Sequence, residues 1–391
     1  MTNKSSGFGT RCVHGAEPAD PYGAPHTPLY DSTTFRFAST DAMQEVVEGR
    51  RAGCLYTRYG DNPSVTSLEA KLAGLESAGA ALVFGSGMAA ISATLLGHGG
   101  RGVVCLGEVY GGTWELMTAQ LSHLGIPVRA VSPRDMPLLE AALAAGAGLV
   151  YFETRANPTL EIIDVTRVCE LAKRHGARVA VDSTFATPVN QLPLALGADL
   201  VIHSATKYLG GHSDLIGGVV AGAAEMLAPL RPWRKNLGQI LAPAAAHLLA
   251  RSLATLEVRV ERQNASALAI ARALHRKPGV ARVRYPGLED FPGHAVAARQ
   301  MRGFGGMLTL EIEGTAQAAA RIVDRLRVFS IAASLGGVES LVSLPALTSH
   351  RDLSPAERAA RGIGDNLVRL SIGLESPDDL LEDLEQAIAQ R

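Results

Sequence analysis

The chain has 391 residues, more than one typical domain of roughly 100–200, so two domains are expected. Apolar residues make up 47% and charged residues 19%, an ordinary globular composition with ample material for a buried core. Lys and Arg number 37 against 38 Asp and Glu, for a formal net charge of −1; the basic excess of a nucleic-acid binder is missing. Residues 1–60 contain Pro18, Pro21, Pro25 and Pro28 with several glycines, which argues against regular helix or strand. The aromatics among them (Tyr30, Phe35, Phe37, Tyr56, Tyr59) suit an ordered arm packed on a neighbouring subunit better than a disordered tail. Over 61–242 short apolar runs alternate with helical periodicity. Strands are expected at Ala81–Phe84, Val103–Leu106, Val128–Val131, Leu149–Phe152, Val179–Asp182, Leu200–His203 and Gly218–Ala221. Helices are expected at Ser64–Leu75, Met88–Leu96 and Asp164–His175, with a short turn at Pro193–Leu196. Strand–helix alternation with continuously apolar strands implies an α/β fold, a mostly parallel sheet covered on both faces. Over 243–391 the pattern changes to a smaller α+β domain. It opens with one long helix, Ala244–Arg276, followed by a strand at Val280–Arg284 and a helix at Ala295–Arg302. A strand at Gly306–Glu311, a helix at Ala316–Arg325, a strand at Leu367–Ile372 and a helix at Asp378–Gln390 complete it.

The four cysteines (Cys12, Cys54, Cys105 and Cys169) form no C-x-x-C pair, so neither a disulfide framework nor a zinc site is expected. Met1–Thr10 has no apolar signal-peptide core, and no apolar run reaches the roughly 18–20 residues of a membrane span. A soluble, cytoplasmic protein without membrane or nucleic-acid partners is the expectation.

In a parallel sheet, sites lie at the carboxyl ends of the strands. Lys207 stands there, directly after the strand Leu200–His203, in the run Ser204-Ala205-Thr206-Lys207 that leads to Gly210-Gly211. Hydroxyls and backbone amides at such a turn suit a phosphate, and a lysine there suits imine formation with an aldehyde. Asp182 ends the strand before it, where a carboxylate could pair with a protonated ring nitrogen or simply cap a turn. Ser86-Gly87-Met88 joins a strand to a helix N-terminus, a ready anion site or merely a tight turn.

Together with these, Tyr56-Thr57-Arg58, Tyr110-Gly111-Gly112-Thr113, Asn157-Pro158, Val181-Asp182-Ser183-Thr184, Tyr285-Pro286-Gly287, Ser334–Ser340 and Leu367–Ser371 run in one order along nearly the whole chain. In this the sequence resembles the Cys/Met-metabolism enzymes that use pyridoxal 5′-phosphate (PLP), the trans-sulfuration family. The resemblance implies the type I aminotransferase-like fold and a homotetramer built as a dimer of dimers with shared active sites. It implies Lys207 as the imine-forming lysine and proton shuttle, Asp182 on the pyridine nitrogen, and Tyr110 stacked on the ring near the leaving group. Ser86, Gly87, Met88, Ser204 and Thr206 would hold the phosphate, with Tyr56 and Arg58 contributed by the neighbouring subunit. Arg369 would hold the substrate carboxylate in a bidentate pair, and Asn157 and Ser334 would position the cofactor and the substrate end.

Core motifs do not separate elimination from replacement in this family. Glu115 stands five residues after Tyr110, where members acting on a distal carboxylate carry Arg; an acid there would repel that carboxylate. The acid and the adjacent Trp114 favour a small uncharged γ-substituent, so elimination on L-methionine is the leading expectation. Cystathionine γ-lyase and γ-replacement enzymes (cystathionine γ-synthase, O-acetylhomoserine sulfhydrylase) are the alternatives. Glu339 could bind a distal amine, which pulls toward cystathionine. Gly112 replaces a Cys frequent in methionine γ-lyases, and Arg155 replaces a Pro or small residue; nothing in the sequence accounts for Arg155.

Overall fold

The computed structural model describes residues 6–15, 20, 22–351 and 353–390. Met1–Ser5, Pro18 and Pro21, used above to read the arm and the N-terminus, lie outside them. Seven strands, β1 (Ala80–Phe84), β2 (Val103–Leu106), β3 (Val128–Val131), β4 (Leu149–Glu153), β5 (Arg178–Asp182), β6 (Leu200–Ser204) and β7 (Gly218–Gly222), form one sheet. Their order is β1-β7-β6-β5-β4-β2-β3, and only β7 runs against its neighbours. The mostly parallel sheet expected from continuous apolar strands is therefore present. Alternate residues feed two layers. Leu82, Phe84, Cys105, Tyr151, Ala180 and Ile202 pack with the helix Gly87–His98 on one face. Val104, Val150, Phe152, Val179 and Val181 pack with the helices Met136–Ala144 and Val165–Arg174 on the other. Each such fully buried aliphatic side chain contributes about 1.5–3 kcal/mol.

A second, five-stranded sheet follows: β8 (Val280–Arg284), β9 (Met307–Ile312), β10 (Ser330–Ile331), β11 (Leu341–Ser343) and β12 (Leu367–Ser371), in the order β10-β11-β12-β9-β8.

Two expectations are corrected. The segment read as irregular contains helices at Phe8–His14 and Thr40–Val47, one before Pro18 and the other after Pro28, so neither runs through a proline. Ser39 caps the second, accepting from the Ala42 N–H at 3.1 Å. The helix expected at Ala244–Arg276 is two helices, Pro243–Leu253 and Leu256–Leu274. Arg259 holds the break open: Nη2 donates to Ser252 O at 2.9 Å and Nε to Thr255 Oγ1 at 3.1 Å. The Ser252 carbonyl at the helix end, which also accepts the Thr255 N–H and hydroxyl, thus gains a charged donor. Nη1 of the same residue reaches Tyr208 O at 2.8 Å, directly after Lys207.

Candidate active site

The parallel strands β1, β4, β5 and β6 present their carboxyl ends along one edge, and the candidate residues follow from them. Lys207 sits in the turn after β6, its Nζ donating to Ser334 Oγ at 2.8 Å. Burial, and secondly the nearby Arg369 guanidinium, push its amine down from the ordinary 10.5 to about 8. Ser334, which holds a left-handed φ of 88°, bridges two functional groups. Its Oγ takes the lysine and its carbonyl takes Arg369 Nη2 at 3.1 Å. Arg369, on β12, is buried, and its Nη1 donates to Asn157 Oδ1 at 3.1 Å. Burial pushes this guanidinium down to about 10, so an anion beside it would relieve an uncompensated charge.

Asp182 ends β5 with its carboxylate buried. Oδ1 accepts the Thr184 N–H at 2.9 Å and the Thr184 hydroxyl at 2.5 Å; Oδ2 accepts the Tyr151 hydroxyl at 3.2 Å. Burial raises its pKa. Among the described residues no cation pairs with this carboxylate, and a protonated ring nitrogen is the kind of partner it lacks. Thr184 Oγ1 also accepts the Ser204 N–H at 2.8 Å, tying the β5 and β6 ends together.

Ser86 caps the helix Gly87–His98, its Oγ accepting the Ala89 N–H at 3.0 Å. Gly87 approaches Ser204 so closely that a Cβ there would lie 2.7 Å from the Ser204 Cβ. First-turn amides beside the hydroxyls of Ser204 and Thr206 form an anion-receptive corner. Thr206 Oγ1 is anchored by the Gly217 N–H at 3.1 Å. Tyr110 heads the short helix Gly111–Glu115 and is half exposed; its ring lies over Gly112 and beside Met88. A Cβ at position 112 would sit 2.8 Å from Tyr110 Cε1, so glycine lets the ring lie where it does.

Sequence reading gave no role to Tyr151, Glu153 or Thr184. Glu153 pairs in register with Asp182, and its Oε1 accepts the Tyr110 N–H at 2.6 Å. Its pKa is raised well above the carboxylate range by burial and then by Asp182. The signal was present: β4 ends in an acid just as β5 does, one residue beyond the strand end expected.

Other expected site residues lie apart from this cluster. Tyr56 and Arg58 are exposed; Arg58 donates to Lys235 O at 3.1 Å and packs on the Tyr56 and Tyr59 rings. Glu115 is exposed at its helix end, while Trp114 lies under the Arg361 guanidinium, 5.5 Å from the ring centre. Glu339 accepts from Ser213 Oγ, beside a cavity of about 510 Å³ that Thr206 and Ser334 also line. Arg155 is fully buried and donates to the carbonyls of Phe185 and Phe304, joining the loop after β5 to the approach of β9.

A family model described as Cys/Met metabolism PLP-dependent enzyme matches residues 9–389. The chain belongs to that family. It is 41% identical over 392 residues to the L-methionine gamma-lyase of Pseudomonas putida, covering 99% of this chain and 98% of that one. It is 41% identical over 387 residues to the cystathionine gamma-synthase of Mycobacterium leprae, covering 98% and 97%. The structure of cystathionine gamma synthase from Xanthomonas oryzae pv. oryzae in complex with cystathionine superposes with a TM-score of 0.92 at 40% identity, covering 98% of each chain. The protein is thus an enzyme with the type I PLP fold, and pyridoxal 5′-phosphate is its cofactor. The uncompensated Asp182 carboxylate, the buried Lys207 amine and the corner at Gly87 and Ser204 fit that group.

Proposed function

We propose that this enzyme carries out γ-elimination on L-methionine, converting methionine and water to methanethiol, 2-oxobutanoate and ammonia. The observation that carries this reading is the cavity opening from Thr206 and Ser334. Its described lining has apolar side chains (Ile216, Ala332, Ala333, Leu341) and two acids (Asp214, Glu339), and no basic side chain. A substrate ending in a carboxylate would meet repulsion there, whereas a neutral thioether would not. The near relatives named methionine gamma-lyase support the same substrate.

PLP, when bound, supplies an electron-withdrawing ring that acidifies the α and β carbons of an attached amino acid. The chain supplies the rest. Arg369 grips the α-carboxylate in a bidentate pair, and Asn157 and Ser334 fix the guanidinium plane. Lys207, with an amine near neutrality, takes the α-proton and then a β-proton. Asp182, buried and steadied by Thr184 and Tyr151, keeps the ring nitrogen protonated. Tyr110, half exposed, returns a proton to the departing sulfur. Ser86, Gly87, Met88, Ser204 and Thr206 anchor the phosphate, joined by Tyr56 and Arg58 of a neighbouring subunit in a cytoplasmic homotetramer.

Glu339 favours a second reading: a carboxylate at the cavity rim suits the distal ammonium of cystathionine. Purified holoenzyme is incubated with L-methionine alone, L-cystathionine alone, or an O-acylhomoserine plus a thiol. Methanethiol and 2-oxobutanoate from methionine are the expected products. Turnover of cystathionine or the O-acyl ester without methanethiol from methionine would overturn the assignment.

A further inference from the structure

The turn that carries Tyr56 and Arg58 rests on two consecutive residues of the helix Leu230–Asn236. Arg234 is buried; its Nη1 pairs with Glu69 and donates to Val83 O at 3.2 Å, while Glu69 Oε1 accepts the Val83 N–H at 3.0 Å. The same guanidinium forms the floor under Gly60, so close that a Cβ there would lie 2.8 Å from Cζ. Gly60 holds φ at +92° and closes the turn with its N–H on Thr57 O at 2.8 Å. The next residue, Lys235, takes Arg58 Nη1 on its carbonyl at 3.1 Å and sets its ammonium 4.1 Å from the centre of the Tyr59 ring. A planar guanidinium, buried and fixed through Nη1 by Glu69 and the Val83 carbonyl, is a rigid support; an exposed side chain would not be.

We propose that Arg234 is a positioning residue that acts across the subunit interface, fixing the turn Tyr56–Gly60 so that Tyr56 and Arg58 meet the cofactor phosphate in the partner subunit's site. This rests on the reading of Tyr56 and Arg58 as residues that act in trans. The rival is a role in cis, because Val83 lies four residues before Gly87 in the chain's own phosphate corner.

Mixed oligomers separate the two. A Lys207→Ala chain has an intact turn but no lysine to bind the cofactor covalently. Paired with an Arg234→Met chain, it donates its sound turn to the only site that retains Lys207. Affinity for PLP is measured by titrating apoprotein and following the visible absorbance of lysine-bound cofactor, with pyridoxal, which lacks the phosphate, as the comparison. Arg234→Met alone should bind PLP roughly tenfold more weakly, the size of one lost charge-assisted hydrogen bond, with pyridoxal unchanged. In the mixed oligomer the PLP affinity should return to the wild-type value. Weak binding that persists in the mixture, or no weakening at all, overturns the proposal. An Arg58→Ala chain mixed with Lys207→Ala is the control. If that pair is also not restored, the shared-site reading has failed and the proposal falls with it. If it is restored while Arg234→Met is not, only the role of Arg234 is wrong. Should Arg234→Met fail to fold with Glu69 unpaired, Gly60→Ala disturbs the same contact with the ion pair kept, and the same outcomes decide.

Discussion

An amine attacks an aldehyde only when neutral, so the protonation of Lys207 governs how fast the apoprotein captures its cofactor. Burial, and then Arg369, push this amine from 10.5 to about 8. At pH 7 a lysine at 10.5 is neutral in roughly 0.03% of molecules, and one at about 8 in roughly 10%, a ~300-fold difference. Capture of PLP, followed by stopped-flow growth of the visible absorbance, should therefore rise about tenfold per pH unit below 8 and level off above it. The sign follows from the depressed pKa: the reactive form gains as pH rises through about 8 and is lost as pH falls. Arg369→Gln removes only the lesser of the two causes. Its midpoint should move above 8 yet stay below 10.5. A rate that climbs steadily through pH 10 without a plateau would refute the reasoning, as would a midpoint that moves down in Arg369→Gln.

Asp182→Asn keeps the Thr184 and Tyr151 contacts but removes the charge; kcat should fall on the order of 10²–10³-fold while bound PLP is retained, seen by kinetics beside absorbance. Gly112→Cys places a Cβ 2.8 Å from Tyr110 Cε1 and 3.5 Å from Met88 Sδ. The ring must shift, and kcat should drop by up to about 10²-fold with little change in KM; an unchanged kcat would show that Tyr110 does not need this seat. Arg155→Met leaves the Phe185 and Phe304 carbonyls without their donor. Stability should fall by about 1–3 kcal/mol, read as a lower Tm, and a raised Tm would mean that the cost of burying the charge outweighs its bonds.

Much of the site is legible in sequence because a parallel sheet places chemistry at strand ends. Asp182 ends an apolar strand and Ser86 and Lys207 come just after one, and the structure gathers them along one edge. The bridge from Lys207 through Ser334 to Arg369 has no local signal. Its members stand 127 and 35 residues apart, and the left-handed backbone at Ser334 is held by a residue without special propensity. The break at Ala254-Thr255 contains neither Gly nor Pro; its cause is Arg259, one turn later, which takes the Ser252 carbonyl and reaches across to Tyr208 O. The two helices of the arm are free of proline; the prolines at 18–28 lie between them and lent their irregular character to the whole segment. Arg155 gave only the sense of a departure, since its carbonyl partners lie 30 and 149 residues away.

The ion pair of Glu69 and Arg234 has a consequence outside catalysis. β1 is the outermost strand on its flank of the large sheet, and an outermost strand with free amide and carbonyl groups is a template on which another chain can add. Here the outward N–H and C=O of Val83 are already taken, one by the acid and one by the base. With a formal net charge of −1, mutual repulsion does little to keep copies apart. A chain that loses this pair, even one whose active site is untouched, should be more prone to stack into β-aggregates as it folds and to yield less soluble protein.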